Sequence, residues 1–313
     1  MRIIEGLDQF FPDLPYPALT IGNFDGVHLG HQQILRQAAE IARRRSGTSI
    51  AMTFWPDPSQ FFAPERHFRY LTDTPAKCAL MEEAGIEIAL IVPFNREFSL
   101  IEAEDFVEKI VFNTIRAREV VVGFNFCFGR GRTGTARFLQ ERARSLGYET
   151  HVVGPFHVEG EVVSSTRIRS LLHEGQVERA ANLLGREYGV EGEVVQGARR
   201  GAGLGFPTAN LQPGDLIVPA KGVYVARMVI EGEIHPGVVN VGVNPTFGGE
   251  ALAIEAHLFD FGGDLYGKQI QVRFCRRLRP ERKFPSVKDL VEQVRRDVEE
   301  ARRFFLEEKR NAP

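Results

Sequence analysis

The chain has 313 residues, 43% hydrophobic and 26% charged, with a formal net charge of -2 at pH 7. That balance predicts a globular protein long enough for two domains, and it excludes a disordered tail and a general nucleic-acid binder with its basic excess. No apolar run approaches the ~20 residues that span a bilayer, and Cys78, Cys127 and Cys275 stand in no spacing that suits a zinc site or a disulfide framework. The start, MRIIEGLDQF, has no signal-peptide core, so the expected compartment is the cytoplasm.

Taken in order, short apolar runs alternate with helical patterns as far as residue 150. PALTIGNF, SIAMTFW, IEIALIVPF, REVVVGFNF and YETHVVGPF read as strands. HQQILRQAAEIARRR, TPAKCALMEEAG, AEDFVEKIVFNTIRA and TARFLQERARSLG repeat their apolar residues at helical spacing. This alternation predicts an α/β domain with a parallel sheet covered on both faces, and ligands at the carboxyl ends of its strands. Past LLGREYG the pattern changes. YGVEGEVVQG, GVYVARMVIEGEI, GVVNVGVN, LAIEAHLFDF and KQIQVRFCRRL are strands parted by Gly, Pro and Asp turns, which predicts an antiparallel barrel or sandwich. A helix from about Ser286 to Lys309 closes the chain, with Val287, Leu290, Val291, Val294, Val298 and Ala301 on one face. The predicted domains are therefore 1–185 and 186–313.

The first chemistry-bearing stretch is TIGNFDGVHLGHQQIL, an apolar strand, a turn with Gly22 and Gly26, and a helix start carrying His28 and His31. It lacks the Gly-Lys-Ser/Thr of a P-loop and the glycine spacing of a dinucleotide fold, and no third ligand suits a zinc pair. A helix amino terminus attracts phosphate, and residues three apart share a face, so both imidazoles can meet one triphosphate. GNFDGVHLGH resembles the signature of the HxGH nucleotidyltransferases, which transfer a nucleotidyl group to a phosphorylated acceptor. The resemblance implies nucleotide binding by Gly22, Asn23, Phe24, Asp25 and Gly26, and catalytic roles for His28 and His31. SSTRIR resembles the second element of that family. Ser164, Ser165 and Thr166 are good helix caps, and Arg167 and Arg169 are fixed charges suited to phosphate. The resemblance makes Arg167 catalytic and the others nucleotide-binding. VVVGFNFCFGRGRTG is similar to the flavin-binding stretch of bacterial FAD synthetases, which implies flavin contacts for Asn125 and Phe128. Phe126 and Phe128 also suit a plain core.

In the second half RRGAGLGFPTANL is the most specific segment. Gly201, Gly203 and Gly205 allow close backbone approach to phosphate, and Pro207 stiffens the turn before Thr208 and Asn210. A hydroxyl and an amide carbonyl two residues apart are hard oxygen ligands fit for Mg²⁺ beside ATP phosphates. The segment resembles the PTAN motif of riboflavin kinases. AIEAHLFDF offers Glu255, expected to face the barrel interior, and the resemblance makes it the general base; His257 is given a structural role. LRPERKF is similar to a flavin-holding segment, which maps to Arg279 and Phe284.

Together the motifs resemble, over nearly the full chain, the prokaryotic bifunctional FAD synthetases (riboflavin kinase/FMN adenylyltransferase). That implies phosphorylation of riboflavin to FMN, then adenylylation of FMN to FAD with release of pyrophosphate. It implies ATP as co-substrate, Mg²⁺ as cofactor, and riboflavin, FMN and FAD as ligands, with no nucleic-acid or membrane partner. Self-association into a homo-oligomer is compatible with it. Two positions depart from the family pattern: Asp57 stands where His is usual within Pro-His-Pro, and Cys127 where Arg is common. Both are expected to weaken binding of the FMN phosphate. Adenylylation of another acceptor is the rival enzyme reading, and a flavin sensor on a decayed scaffold the rival of another class.

Overall fold

The computed structural model describes residues 1–10, 13–66, 68–196, 206–243 and 252–311. Two compact units form, Met1–Ser165 and Thr166–Pro313. The first runs β1 (Arg2–Glu5), β2 (Pro17–Ile21), α1 (Leu29–Arg44), β3 (Thr48–Trp55), α2 (Pro58–Phe62), α3 (Thr74–Glu83) and β4 (Ile88–Pro93). It continues with α4 (Arg96–Ser99), α5 (Ala103–Asp105) leading into a π-helical stretch at Phe106–Thr114, β5 (Glu119–Gly123), β6 (Cys127–Phe128), β7 (Gly134–Thr135), α6 (Ala136–Leu146), β8 (Glu149–Val153), β9 (His157–Val158) and β10 (Glu161–Val162).

Six of these strands form one all-parallel sheet in the order β1-β4-β3-β2-β5-β8. Strand alternation sends Leu19, Ile21, Ile50, Met52, Val120 and Val122 to one face, against Phe106, Val107, Ile110 and Leu139. The other face presents the smaller Ala18, Ala51 and Ala89 to Leu35, Ala38 and Ile41 of α1 and Met81 of α3. Chain order runs from β2 outward through β3 and β4, then returns to β5 on the other side of β2. The reversal makes the carboxyl ends of β2 and β5 a topological switch point, where such sheets bind ligands. The five predicted strands all form; β1, which the sequence reading missed, docks parallel on β4.

The second unit holds α7 (Ser165–His173, whose first residue closes the first unit), α8 (Val177–Leu184), β11 (Tyr188–Val195), β12 (Ala209–Gln212), β13 (Gly222–Ile230), β14 (Glu233–Val243), β15 (Leu252–Leu258), β16 (Gln269–Pro280) and α9 (Val287–Asn311). Its strands close into an antiparallel barrel ordered β11-β12-β15-β14-β13-β16. Tyr188, Tyr224 and Phe274 fill the interior with Val190, Val194, Leu211, Val239, Val241, Ile254 and Ala256. Residues of the opposite parity, Val223, Val225, Val238 and Cys275, pack outside the wall against Ala301, Val298, Phe304 and Phe305 of α9. The structural border at Ser165 precedes the domain border expected near residue 186, because the α7–α8 segment packs with the barrel: Ala220 N donates to Leu172 O and Arg277 Nη1 to Glu174 O. The closing helix also differs from its predicted face. Val287 is exposed, whereas Asp297 is buried with Ala301, since Arg279 pairs with it.

All three cysteines are free; Cys78 and Cys275 are buried and Cys127 is half-buried. Burial pushes the Cys78 and Cys275 thiols up. Among the described residues no helix is long and apolar enough to cross a membrane.

Candidate functional site

β2 ends at Ile21 and the chain turns through Gly22–Val27 into α1. Phe24 (φ +50°), Gly26 (φ +83°) and Val27 (φ +37°) all take left-handed backbone. For a β-branched valine that is strained, and Phe24 and Val27 are clamped by near-complete burial. The strain lets α1 begin with its free N–H groups at the switch point. His28 is the N-cap, its Nδ1 accepting from His31 N at 3.1 Å, which puts the proton of the neutral ring on Nε2. The two imidazoles stack, centroids 3.6 Å apart, with the Phe24 ring edge-on to His31. Gly30, between them, permits this: a Cβ there would lie 3.3 Å from the His28 ring. Desolvation, His28 and the Lys77 ammonium hold His31 well below the usual imidazole range. His31 Nδ1 is buried with no hydrogen-bond partner among the described residues.

Further contacts brace the turn. Buried Asp25 accepts from Leu71 N at 3.0 Å and Thr72 N at 3.3 Å, Gly26 N donates to Thr72 Oγ1, and Thr53 Oγ1 donates to Asn23 O. Ser165 Oγ donates to the Asp25 carbonyl at 2.9 Å, so the second motif reaches the first through its leading hydroxyl. Arg167 and Arg169 are half-buried on α7, and Thr166 is exposed. Asn125 lies just beyond β5, exposed, at the other side of the switch point.

Phe128, expected to meet flavin or to serve the core, is 7% exposed and packs among Phe106, Phe126 and Phe138. Asp57 is also not an open carboxylate. It is buried, caps α2 by accepting from Ser59 N at 2.7 Å, and acts electrostatically on Lys77. Sequence reasoning missed Lys77, Thr53 and Thr72, whose types and spacing carry no signal outside the folded chain.

In the barrel, Asn210 of β12 stands opposite Glu255 of β15, which stands opposite Asn240 of β14. Directly paired residues share a face, so the three make one polar row across three strands. This corrects the expected side of Glu255. Ile254, Ala256 and Leu258 fill the interior parity, and Glu255 lies on the outer face. Asn210 is buried, and its Oδ1 has no hydrogen-bond partner among the described residues. An open carbonyl acceptor two residues beyond the Thr208 hydroxyl fits a hard cation. His257 Nδ1 bonds Pro207 O at 2.9 Å, tying the Pro-Thr-Ala-Asn segment to β15. Gly201, Gly203 and Gly205 lie outside the described residues.

Arg279, expected to meet flavin, is paired within the chain. Its guanidinium grips Asp297 of α9 with Nε at 3.1 Å and Nη2 at 2.8 Å, and Nη1 bonds Pro280 O. Phe284 is half-buried between the guanidinium groups of Arg279 and Arg282, at 5.6 and 4.9 Å.

Residues 13–167 match the family model for FAD synthetase and residues 184–305 that for riboflavin kinase. A Haemophilus influenzae protein named bifunctional riboflavin kinase/FMN adenylyltransferase is 37% identical over 310 residues, covering 97% of this chain and 99% of its own length. The Escherichia coli K12 protein of the same name is 37% identical over 288 residues, 92% of each chain. A crystal structure described as a macrolide-efflux protein from Streptococcus pneumoniae superposes with a TM-score of 0.86 at 31% identity, covering 95% of this chain and 97% of that one.

Proposed function

The chain belongs to the family of bifunctional riboflavin kinase/FMN adenylyltransferases, and from that premise we propose how its residues divide the two reactions. It phosphorylates riboflavin to FMN with ATP, then adenylylates FMN to FAD and releases pyrophosphate. The functional domains are 1–185 for adenylyl transfer and 186–313 for the kinase. Riboflavin, FMN and ATP are the partners of this reading, a net charge of -2 leaves nucleic acid out of it, and free cysteines suit a reducing cytoplasm.

In adenylyl transfer an FMN phosphate oxygen bonds to the α-phosphorus of ATP while the α–β bridge breaks and pyrophosphate departs. The residues need only align the reactants and meet the charge that gathers between the α and β phosphates. The α1 amino terminus, His28 through Nε2–H, and His31 do so; by the second motif, Arg167, Arg169 and the hydroxyls of Ser164, Ser165 and Thr166 are assigned to the outer phosphates. Asn125 offers an amide donor and acceptor to the flavin ring. The stacked histidine pair at the switch point carries this assignment.

In the kinase Glu255 takes the proton of the riboflavin hydroxyl as its oxygen attacks the γ-phosphorus, and ADP leaves. Thr208 and Asn210 would hold Mg²⁺, which when bound neutralises phosphate charge. The open Asn210 Oδ1 supports that role.

A chromatographic time course with riboflavin, ATP and Mg²⁺ tests the division. Wild type should make FMN and then FAD; His31→Ala should stop at FMN, and Glu255→Gln should make FAD only when given FMN. FAD formation by His31→Ala at the wild-type rate would overturn the transferase assignment.

A further inference from the structure

Near His31 lies a buried ionisable group that the adenylyl-transfer assignment leaves without a task. Lys77, in the first half of α3, is 3% exposed. Its Nζ reaches Thr53 Oγ1 at 3.5 Å, the far limit of a hydrogen bond, and it forms no ion pair among the described residues. Burying an ammonium this way is costly, and a methionine of similar length would fill the same volume without that cost. Burial pushes Lys77 below the usual lysine range, while Asp25 of the turn, Asp57 capping α2 and the neighbouring Cys78 pull it back toward the charged form.

The hydrogen bonds around Lys77 have a direction. A hydroxyl carries one proton, and Thr53 spends it on Asn23 O at 3.0 Å, so it receives from Lys77. The chain of contacts then runs from α3 through the end of β3 into the Asn23–Asp25 turn. Asp25 completes a ring by accepting from Leu71 N and Thr72 N, just before the α3 cap Asp73. The groups acting on His31 are His28 at the α1 cap, the Phe24 ring edge and Lys77 from α3.

We propose that Lys77 is a positioning residue for adenylyl transfer: it holds the Asn23 carbonyl through Thr53, and so the turn that leads into His28 and His31. This rests on the assignment of His28 and His31 to that step. Burial, His28 and then Lys77 hold His31 below the usual imidazole range, so Lys77 adds to what keeps the donor pattern offered to the triphosphate steady near neutral pH. It does from three separate elements what a phosphate loop does with one, supplying a cation and a hydroxyl beside a helix start.

The test uses the full chain with Lys77→Met, Lys77→Arg and Thr53→Val. Adenylyl transfer from FMN is measured against pH, His31 is titrated by NMR in histidine-labelled protein, and the kinase of the same molecule serves as control. Lys77→Met should lower kcat by about tenfold or more with KM for ATP little changed, because misplacement of the turn acts on the reacting geometry. Losing a positive neighbour favours the imidazolium, so the His31 titration and the acid limb of kcat should both move to higher pH. Lys77→Arg should restore the His31 titration, and Thr53→Val should lower kcat while leaving that titration in place. A Lys77→Met protein with wild-type kcat, or one with reduced kcat but an unmoved His31 titration, would overturn the proposal. Loss of transfer in Lys77→Met together with wild-type transfer in His31→Ala would instead overturn the assignment beneath it.

Discussion

The two sites prepare for phosphate chemistry in opposite ways. In the parallel-sheet unit the groups are arranged before substrate arrives: His28 accepts from His31 N, Asp25 clamps two backbone amides, and a strained turn is held by burial of Phe24 and Val27. In the barrel unit a polar row leaves one acceptor open, the Asn210 carbonyl. One unit holds its polar groups in internal hydrogen bonds; the other leaves the Asn210 carbonyl without one among the described residues. Adenylyl transfer should therefore respond to changes in packing, and the kinase to the supply of metal.

The largest expected effects break the two sites independently. His31→Ala should lower adenylyl transfer by about 10³-fold, the scale of losing one preorganised donor, and leave FMN production intact. Glu255→Gln should lower kinase turnover by about 10³-fold, as for a lost general base, with FAD formation from FMN unchanged. Paired assays of each variant would read both.

Next is Glu119, at the amino-terminal end of β5, opposite the switch point. Burial alone would raise its carboxyl, but hydrogen bonds from Tyr16 and His151, with Arg45, hold it below the usual range. Its folded value is thus the lower one, so its contribution is complete above the unfolded value of about 4.5 and is lost as pH falls through the folded value. Glu119→Gln should cost about 1 to 2 kcal/mol at pH 7, with a flatter acid limb in thermal unfolding, and should not touch the barrel.

Asn210→Ala sharpens the contrast at smaller scale. The Mg²⁺ concentration for half-maximal kinase activity should rise about tenfold, while stability without metal holds, since the variant removes an unpaired buried acceptor. The smallest effect is that of Asp57→His. It removes the cap of α2 and should cost about 1 kcal/mol by chemical denaturation. Tighter FMN binding is expected of Asp57→His with Cys127→Arg, and an unchanged FMN KM in the double variant would refute that account of the two departures.

The sequence made the sheet legible because its strands are continuous apolar runs and its helices keep one period. It hid β1, where only Ile4 is buried, and β12, which is short and opens on Ala209 and Asn210, residues of weak strand preference. The motif residues are legible as types in order. Their sides were not: Glu255 lies outside the barrel because register with Asn210 and Asn240 fixes its face, and no single segment encodes register. Lys77 reads as one more solvated lysine until α3 is docked, and Asp297 reads as a break in an apolar face until Arg279 meets it.

The burial of two of the three thiols has a practical corollary. Cys78 and Cys275 are shielded and their thiolates disfavoured, so a maleimide added to the native chain should take one equivalent, at Cys127. That stoichiometry supplies a fluorophore site within the transferase unit without engineering, and full unfolding should raise the count to three.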